Sequence, residues 1–141
     1  PMKQHRQLRI PVCYDQAFAP DLKTVAAQAG LSVEEVIHIH THTSFRVYMI
    51  GFLPGFAYMG EVPDAIAVAR RSEPRTKVSA GSVGIAGKQT GIYPFDSPGG
   101  WQLIGKTPAS LFRKKEASPT LFQPGDEVLF YPITINEFTN Y

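Results

Sequence analysis

The stretch 78-VSAGSVGIAGKQTGIYP-94 consists of short apolar runs that each end at glycine or proline. Its two runs are 78–87 and 89–94, and a third run of the same build follows at 101-WQLIGKTP-108. Several short strands with Gly and Pro between them are typical of a β-sandwich or a β-barrel. This part of the chain therefore predicts a closed, mainly β body.

Two helices are predicted before this β-rich part. In 20-PDLKTVAAQAG-30 apolar residues recur at helical spacing, and Gly30 is a stop signal. The next helix begins after Ser32, has Glu35 three residues further on as in a capping box, and runs to about His42. The residues at helical spacing are Leu22, Val25, Ala26 and Ala29 in the first helix and Val33, Val36, Ile37 and His40 in the second.

Further strands are predicted on both sides of the helices. Leu8–Tyr14 is an apolar run, and 45-FRVYMIGFLP-54 alternates and is rich in aromatic and branched residues. The end, 126-DEVLFYPITINEF-138, is interpreted as a strand, a break at Pro132 and a second strand. A helical turn is expected at 109–112. The predicted fold class is mainly β with two or three short helices.

Length and composition fit one globular domain. The chain has 141 residues, of which 43% are hydrophobic and 18% charged, and these values argue against disorder. A formal net charge of +2 is too small to indicate a nucleic-acid partner. Two basic groups are interpreted as solvated faces. They are Arg70, Arg71, Arg75 and Lys77, and the run Arg113, Lys114 and Lys115.

Cysteine use and hydropathy indicate a cytoplasmic protein. Cys13 is the single cysteine, which excludes an internal disulfide, and its apolar surroundings predict a buried, inert thiol. No apolar run approaches the roughly 20 residues of a membrane span. Residues 1–9 carry charge without an apolar signal core, so they are interpreted as a linker or truncated edge before a domain at 10–141.

Three familiar chemistries are not supported by the sequence. His38 and His42 would share a helix face, but the third ligand of a zinc site is missing, so no metal is predicted. His40 belongs to the apolar face and is interpreted as a core histidine, whereas His42 is a candidate to face a pocket. Ser82 lies out of register for a nucleophile elbow, and the Gly-Lys at 87–88 lacks the spacing of a phosphate loop.

Two glycine-rich turns with aromatic side chains indicate a ligand-binding groove. They are 51-GFLPGFAYMG-60 and 93-YPFDSPGGWQLIG-105, the second of which contains the only tryptophan. Aromatic rings with a few polar groups are typical of a small-molecule or peptide site. Arg75 is a candidate to bind a carboxylate, and Gln89 an amide. The alternative, that the rings are simply core, stays open at this point.

The same stretches carry a family resemblance. Gly-Phe-x-Pro-Gly-Phe at 51–56, Pro-Arg at 74–75, Ala-Gly-Ser-Val at 80–83, Ile-Tyr-Pro at 92–94 and Pro-Gly-Gly-Trp at 98–101 occur in the order found in the KipI family. This family is also called allophanate hydrolase subunit 1 or the B-type subunit of 5-oxoprolinase, and the resemblance runs from about Val12 to Ile133. Ala57 and Met59 stand where the family commonly has proline and leucine, which affects loop geometry rather than membership.

The resemblance implies a cyclophilin-like β-barrel and an isolated C-terminal domain, since family members usually carry a further N-terminal domain. If the ligand is 5-oxoproline, residue chemistry rather than the resemblance suggests that Arg75 would hold its carboxylate and Gln89 its lactam amide; no catalytic role is assigned. The candidate groove residues are His42, Phe52, Pro54, Phe56, Tyr58, Arg75, Ser82, Gln89, Tyr93, Pro98, Gly99, Gly100 and Trp101.

Two functions of different classes come with the resemblance. In the first, the chain is a non-autonomous subunit of a bacterial 5-oxoprolinase that converts 5-oxoproline to glutamate. KipA-type and LamB-type subunits would be its partners, and ATP would be used by the assembled complex without a cofactor in this chain. In the second, it is an antikinase that binds the dimerisation domain of a sporulation sensor histidine kinase. A urea or allophanate component is the third possibility, and no nucleic-acid or membrane partner is expected.

Overall fold

A computed structural model of the chain describes residues 6–50, 57–110 and 122–141. The strands and helices of these residues are β1 (Gln7–Cys13), α1 (Leu22–Ala29), α2 (Val33–Thr41), β2 (Phe45–Ile50), β3 (Ala57–Gly60), β4 (Arg75–Val78), β5 (Ser82–Ala86), β6 (Gln89–Ile92), β7 (Ser97–Gly99), β8 (Gln102–Lys106), β9 (Glu127–Ile133) and α3 (Ile135–Thr139), with a short 3₁₀ turn at Asp64–Ile66. None of the helices in these ranges is long and apolar enough to cross a membrane.

Seven strands form a closed barrel in the order β1-β8-β5-β6-β3-β2-β9. The barrel closes where β9 pairs with β1 in parallel, from Gln7 opposite Glu127 to Cys13 opposite Ile133. The closed barrel with its short helices confirms the predicted fold class.

The barrel core continues into the helices. Helix α1 buries Leu22, Val25 and Ala26, and Gly30 ends it in the left-handed conformation at φ 70°. Helix α2 begins with the predicted capping box, in which the Glu35 amide donates to Ser32 Oγ and the Ser32 amide donates to the Glu35 carboxylate. The apolar faces of both helices pack into one cluster with the barrel strands, as their helical spacing predicts.

His40 is the polar centre of this core, and its side chain is fully buried. Its ring stacks on Phe130 of β9 at a centroid distance of 4.7 Å. The Thr90 hydroxyl donates to the Gly84 carbonyl (2.7 Å), so it is left to accept a hydrogen bond from His40 Nε2 (3.1 Å). His40 Nδ1 then accepts from the Tyr14 hydroxyl at 2.6 Å. These bonds fix a neutral tautomer and confirm the predicted core histidine.

The C-terminal segment differs from the prediction. Strand β9 continues through Pro132, and a helix follows where a second strand was expected. In the described part of the chain β2 pairs with β9 only at Glu127 and Val128, so β9 is an edge at Pro132, where a missing amide is tolerated. The helix begins because Thr134 and Glu137 form a second capping box.

Two other predictions concern neighbouring parts of the chain. Cys13 is fully buried, as its apolar run predicts. The strand predicted over 45–54 is found as β2, and its last four residues lie outside the described residues. The second half of the helical turn expected at 109–112 also lies outside them. The strands β4 and β7, which form a two-stranded ribbon, were not predicted separately.

We expect stability to fall as the pH drops below about 6.5, with His40 as one cause. Burial lowers the pKa of His40 to about 3, whereas an unfolded histidine has a pKa of about 6.5. Between these values the unfolded state binds a proton that the native state excludes, so the free energy of unfolding decreases by about 1.4 kcal/mol per pH unit from this group. Urea unfolding of wild type and His40→Leu between pH 7 and pH 4 measures this slope.

The variant His40→Leu should be less stable at pH 7 and should have a flatter pH dependence. Val36→Ala on the same helix is the matched control, because it removes buried apolar contact without a titratable group. An unchanged slope in His40→Leu would contradict the assignment.

Candidate functional site

The ribbon of β4 and β7 carries several of the predicted groove residues. It pairs antiparallel, with Arg75 opposite Gly99 and Val78 opposite Ser97, and forms a sheet separate from the barrel. The chain leaves the ribbon at Gly100 and enters β8 directly after Trp101. The ribbon is therefore the element that positions the candidate site relative to the barrel.

Beneath the ribbon the aromatic residues form a second apolar cluster. Trp101 and Tyr93 are only 3% and 1% exposed, and Tyr58 is half-buried at the margin with its ring 5.9 Å from that of Trp101. Burial raises the pKa of Tyr93. The structure thus places Trp101 and Tyr93 in a core that anchors the ribbon, and leaves Tyr58 as the described ring at its border.

Pro98, Gly99 and Gly100 belong to the second of the two predicted glycine-rich turns, but they do not form a turn in the structure. Residues 97–99 are a strand, and the Gly100 carbonyl accepts a hydrogen bond from the Arg71 amide at 2.8 Å. Gly99 lies directly on the Tyr93 ring, where a Cβ atom would come within 2.7 Å of the ring carbons Cε2 and Cζ. The glycine at this position is therefore needed for close packing on Tyr93.

Arg75 is held by Asp21, a residue that we did not single out from the sequence. Its Nη1 and Nη2 atoms each donate to a different oxygen of the Asp21 carboxylate at 2.7 Å. Arg71 Nη1 adds a contact of 3.1 Å, and the Leu103 amide donates to the same carboxylate at 2.7 Å. The Asp21 side chain is 5% exposed and that of Arg75 22%. Arg71 and Arg75 therefore belong to an ion-pair cluster with Asp21, whereas we expected them to lie on a solvated face.

The ion-pair cluster connects three parts of the fold. Asp21 lies at the N-terminus of α1, the two arginines lie in and before β4, and Leu103 lies in β8. Burial would raise the pKa of Asp21, but the hydrogen bonds of Arg75 and of the Leu103 amide outweigh burial, so the pKa is lowered. The carboxylate is charged at neutral pH and holds helix, ribbon and barrel together.

Ser82 and Gln89 lie at opposite ends of the β5–β6 hairpin. Ser82 begins β5 and is 5% exposed, whereas exposed Gln89 pairs with Ala86 at the far end. Four residue steps along a strand span about 13 Å. Arg75 and Ser82 line one cavity beside β4, and Gln89 is not among its lining residues. The structure therefore brings Arg75 and Ser82 together and separates Gln89 from them.

The remaining candidates do not add to this region. His42 ends α2 as an exposed side chain; its Nδ1 lies 2.8 Å from the His38 carbonyl, and the rings of His38 and His42 stack at 3.9 Å. Over residues 6–50, 57–110 and 122–141, no group of three His, Cys, Asp or Glu side chains could hold a metal ion. Phe52, Pro54 and Phe56 lie outside the described residues.

Comparison with known proteins shows close relatives. A family model described as "Carboxyltransferase domain, subdomain C and D" matches residues 1–122. Proteins named as the B-type subunit of 5-oxoprolinase are 54% identical in Bacillus subtilis (strain 168), over 96% of this chain and 57% of the relative, and 50% identical in Escherichia coli O157:H7, over 92% of this chain and 59% of the relative.

A solved structure supports the same relationship. The protein PH0987 from Pyrococcus horikoshii superposes with a TM-score of 0.90 at 51% identity, over 94% of this chain and 62% of that protein. The chain therefore spans less than two thirds of each of these three relatives.

We expect Asp21→Asn to lower the free energy of unfolding at pH 7 by about 2–3 kcal/mol, because it leaves Arg75 without its buried charged partner. The wild-type pair contributes fully above the unfolded Asp pKa of about 3.9. That contribution is lost as the pH falls through the lowered native pKa. The difference between the two proteins should therefore shrink below pH 4, which urea unfolding measures.

The matched control for this variant is Asp96→Asn. It breaks the exposed pair with Lys77, whose Nζ lies 3.5 Å from Asp96 Oδ2, and it should cost less than Asp21→Asn. Equal losses in both variants would contradict a special role for the Asp21 cluster.

Gly99→Ala should destabilise the protein by about 1–3 kcal/mol, because the new methyl group overlaps the buried Tyr93 ring. Gly100→Ala is the control one residue away, since its Cβ would meet nothing closer than 3.6 Å. Thermal unfolding of the two variants should separate them clearly. A Gly99→Ala protein as stable as wild type would show that the ribbon does not pack on Tyr93 in this way.

Proposed function

Because the chain belongs to the family of carboxyltransferase domains, subdomain C and D, we propose that it forms part of a multi-subunit 5-oxoprolinase. The reaction opens the lactam of 5-oxoproline by adding water across its amide bond, and yields glutamate. The observation that carries the proposal is 54% identity, over 96% of this chain, to a protein named as the B-type subunit of 5-oxoprolinase. KipA-type and LamB-type subunits are the proposed partners, and the assembled complex uses the ATP.

Arg75 is the residue proposed to bind the substrate carboxylate. A guanidinium group has five N–H donors, and Asp21 takes two of them, so three remain for another acceptor. The side chain is also partly exposed, which lets an anion approach it. In this proposal Asp21 positions the guanidinium group, and the bound substrate shares it. Orientation by a fixed carboxylate lowers the entropy cost of that contact.

The aromatic residues support the site in a different way from the one expected. Trp101 and Tyr93 are buried beneath the ribbon, so we propose that they hold the backbone of β4 and β7 in place. Tyr58 is the described ring best placed for contact with a ligand or a partner subunit, because it lies at the margin of that cluster. Gln89 lies at the other end of the β5–β6 hairpin, so we propose that it acts on a different group from the one that Arg75 binds.

The proposal is tested by reconstitution. The full-length protein is combined with its KipA-type and LamB-type partners, and 5-oxoproline-dependent ADP release and glutamate formation are measured with each component omitted in turn. We expect turnover to fall to background when this protein is omitted. Full turnover in its absence would overturn the proposal and would favour the antikinase alternative, which inhibition of histidine-kinase autophosphorylation checks directly.

A second comparison in that assay separates two roles of Arg75, namely binding of the substrate carboxylate and the ion pair with Asp21. Arg75→Gln should raise KM for 5-oxoproline by about tenfold or more, since it removes a charged hydrogen bond. Asp21→Asn, assayed at a temperature where both variants stay folded, should retain more activity because the guanidinium group is still present. Equal losses would show that Arg75 acts only through the ion pair.

A further inference from the structure

A basic cavity lies beside the ribbon, between the loop that precedes α1 and the strands β4, β5 and β8. Its volume is about 360 Å³, far more than the roughly 30 Å³ that one water occupies in the liquid, so a polyatomic ligand fits. The residues that line it are Ala17, Phe18, Pro20, Arg75, Lys77, Val78, Ser79, Ser82, Leu103 and Lys106.

The charge of this basic cavity is positive. Arg75, Lys77 and Lys106 line it, and no carboxylate does among the described residues. Two acids outside the lining pair with lining residues. Asp21 binds Arg75 and also Arg71, and Asp96 binds Lys77 at 3.5 Å. A cavity whose lining carries one sign of charge attracts ligands of the opposite sign.

Lys106 is the cation best placed to bind a ligand. Its Nζ lies 5.6 Å from the ring centroid of Phe18 and 6.0 Å from that of Phe138, and the two rings pack against each other at 4.5 Å. Within the described ranges it has no carboxylate within ion-pair distance. The two rings orient the ammonium group by cation–π attraction and leave its N–H donors for an anion.

Ser82 supplies a neutral donor on the wall of the same cavity. Its backbone is satisfied, since its amide donates to the Ser79 carbonyl at 3.1 Å and its carbonyl accepts from the Tyr93 amide at 2.9 Å. Its hydroxyl makes no hydrogen bond to any described residue, although the residue is 5% exposed. Among the described residues no side-chain oxygen is both fully buried and without a hydrogen-bond partner, so the Ser82 hydroxyl is reached from the cavity that it lines and can donate to a ligand there.

We propose that the basic cavity binds a small oxyanion, either a carboxylate or a phosphate group, through Lys106 Nζ and the Ser82 hydroxyl. Lys77 and Arg75 add positive charge at its wall. This proposal does not depend on the proposed function, because it rests on the charges and the unpaired donor of the cavity alone. It assigns binding to Lys106, which neither the motif pattern nor the ion-pair cluster indicates, and it gives the groove candidate Ser82 a specific partner group.

The test is titration of the full-length protein with inorganic phosphate and, separately, with acetate, at constant ionic strength in chloride. Binding is followed by isothermal calorimetry and by backbone amide NMR shifts at Ser82 and Lys106. We expect saturable binding of at least one anion. Phosphate alone would identify a phosphoryl ligand, acetate alone a carboxylate ligand, and both would support the shared oxyanion chemistry. No saturable binding of either anion would overturn the proposal.

Variants identify the groups that bind. Lys106→Met should lower the affinity for the anion about tenfold or more, because it removes a charged donor. Ser82→Ala should lower the affinity by a smaller factor. Lys88→Met is the matched control. Lys88 is an exposed lysine in the turn of the β5–β6 hairpin, at the end away from Ser82, and it pairs with Asp64. If Lys88→Met weakened binding as much as Lys106→Met, the effect would be one of net charge and the proposed site would be wrong.

Discussion

The carboxylate of Asp21 is the constraint on which the arrangement of the candidate site depends. It accepts hydrogen bonds from two arginines and from the Leu103 amide while it is almost fully buried. Because a buried carboxylate without partners is costly, the start of α1 must stay close to the two segments that supply these donors. The ribbon would otherwise be joined to the barrel mainly through the apolar cluster around Trp101.

His40 has the corresponding role inside the barrel. Its two ring nitrogens are satisfied by Tyr14 and Thr90, and its ring packs between aromatic residues of β2 and β9. A polar residue in a core fixes one arrangement of its neighbours when every donor and acceptor is satisfied. The helix layer is thus attached to the barrel at one point by neutral hydrogen bonds, and at the other by an ion pair that also holds the ribbon.

Most of the fold could be predicted from the sequence, because its signals are local. The capping box at Ser32, the stop at Gly30 and the apolar spacing of α1 and α2 are each contained within a few residues. The error at the C-terminus arose because Pro132 was interpreted as a break, although a proline is tolerated on a strand edge. The signal that was missed, Thr134 followed by Glu137, is as local as the one that was found.

The candidate site could be predicted less well, because it depends on long-range pairing. Asp21 and Arg75 are 54 residues apart and Asp21 and Leu103 are 82 apart, and no periodicity indicates such contacts. The aromatic residues were found, but their spacing does not distinguish a groove wall from a core, and Trp101 proved to be core. Gln89 was grouped with Arg75 because strand pairing, which separates them, is not visible in the sequence.

Hydrogen exchange at the Leu103 amide tests the central claim most directly, since this amide donates to Asp21 Oδ2. The account predicts that Asp21→Asn speeds exchange at Leu103 and across the β4–β7 ribbon, while the β5–β6 hairpin keeps its protection. Protection lost equally throughout the chain, or unchanged at Leu103, would contradict the claim that this one carboxylate holds the ribbon, and with it the candidate site, against the barrel.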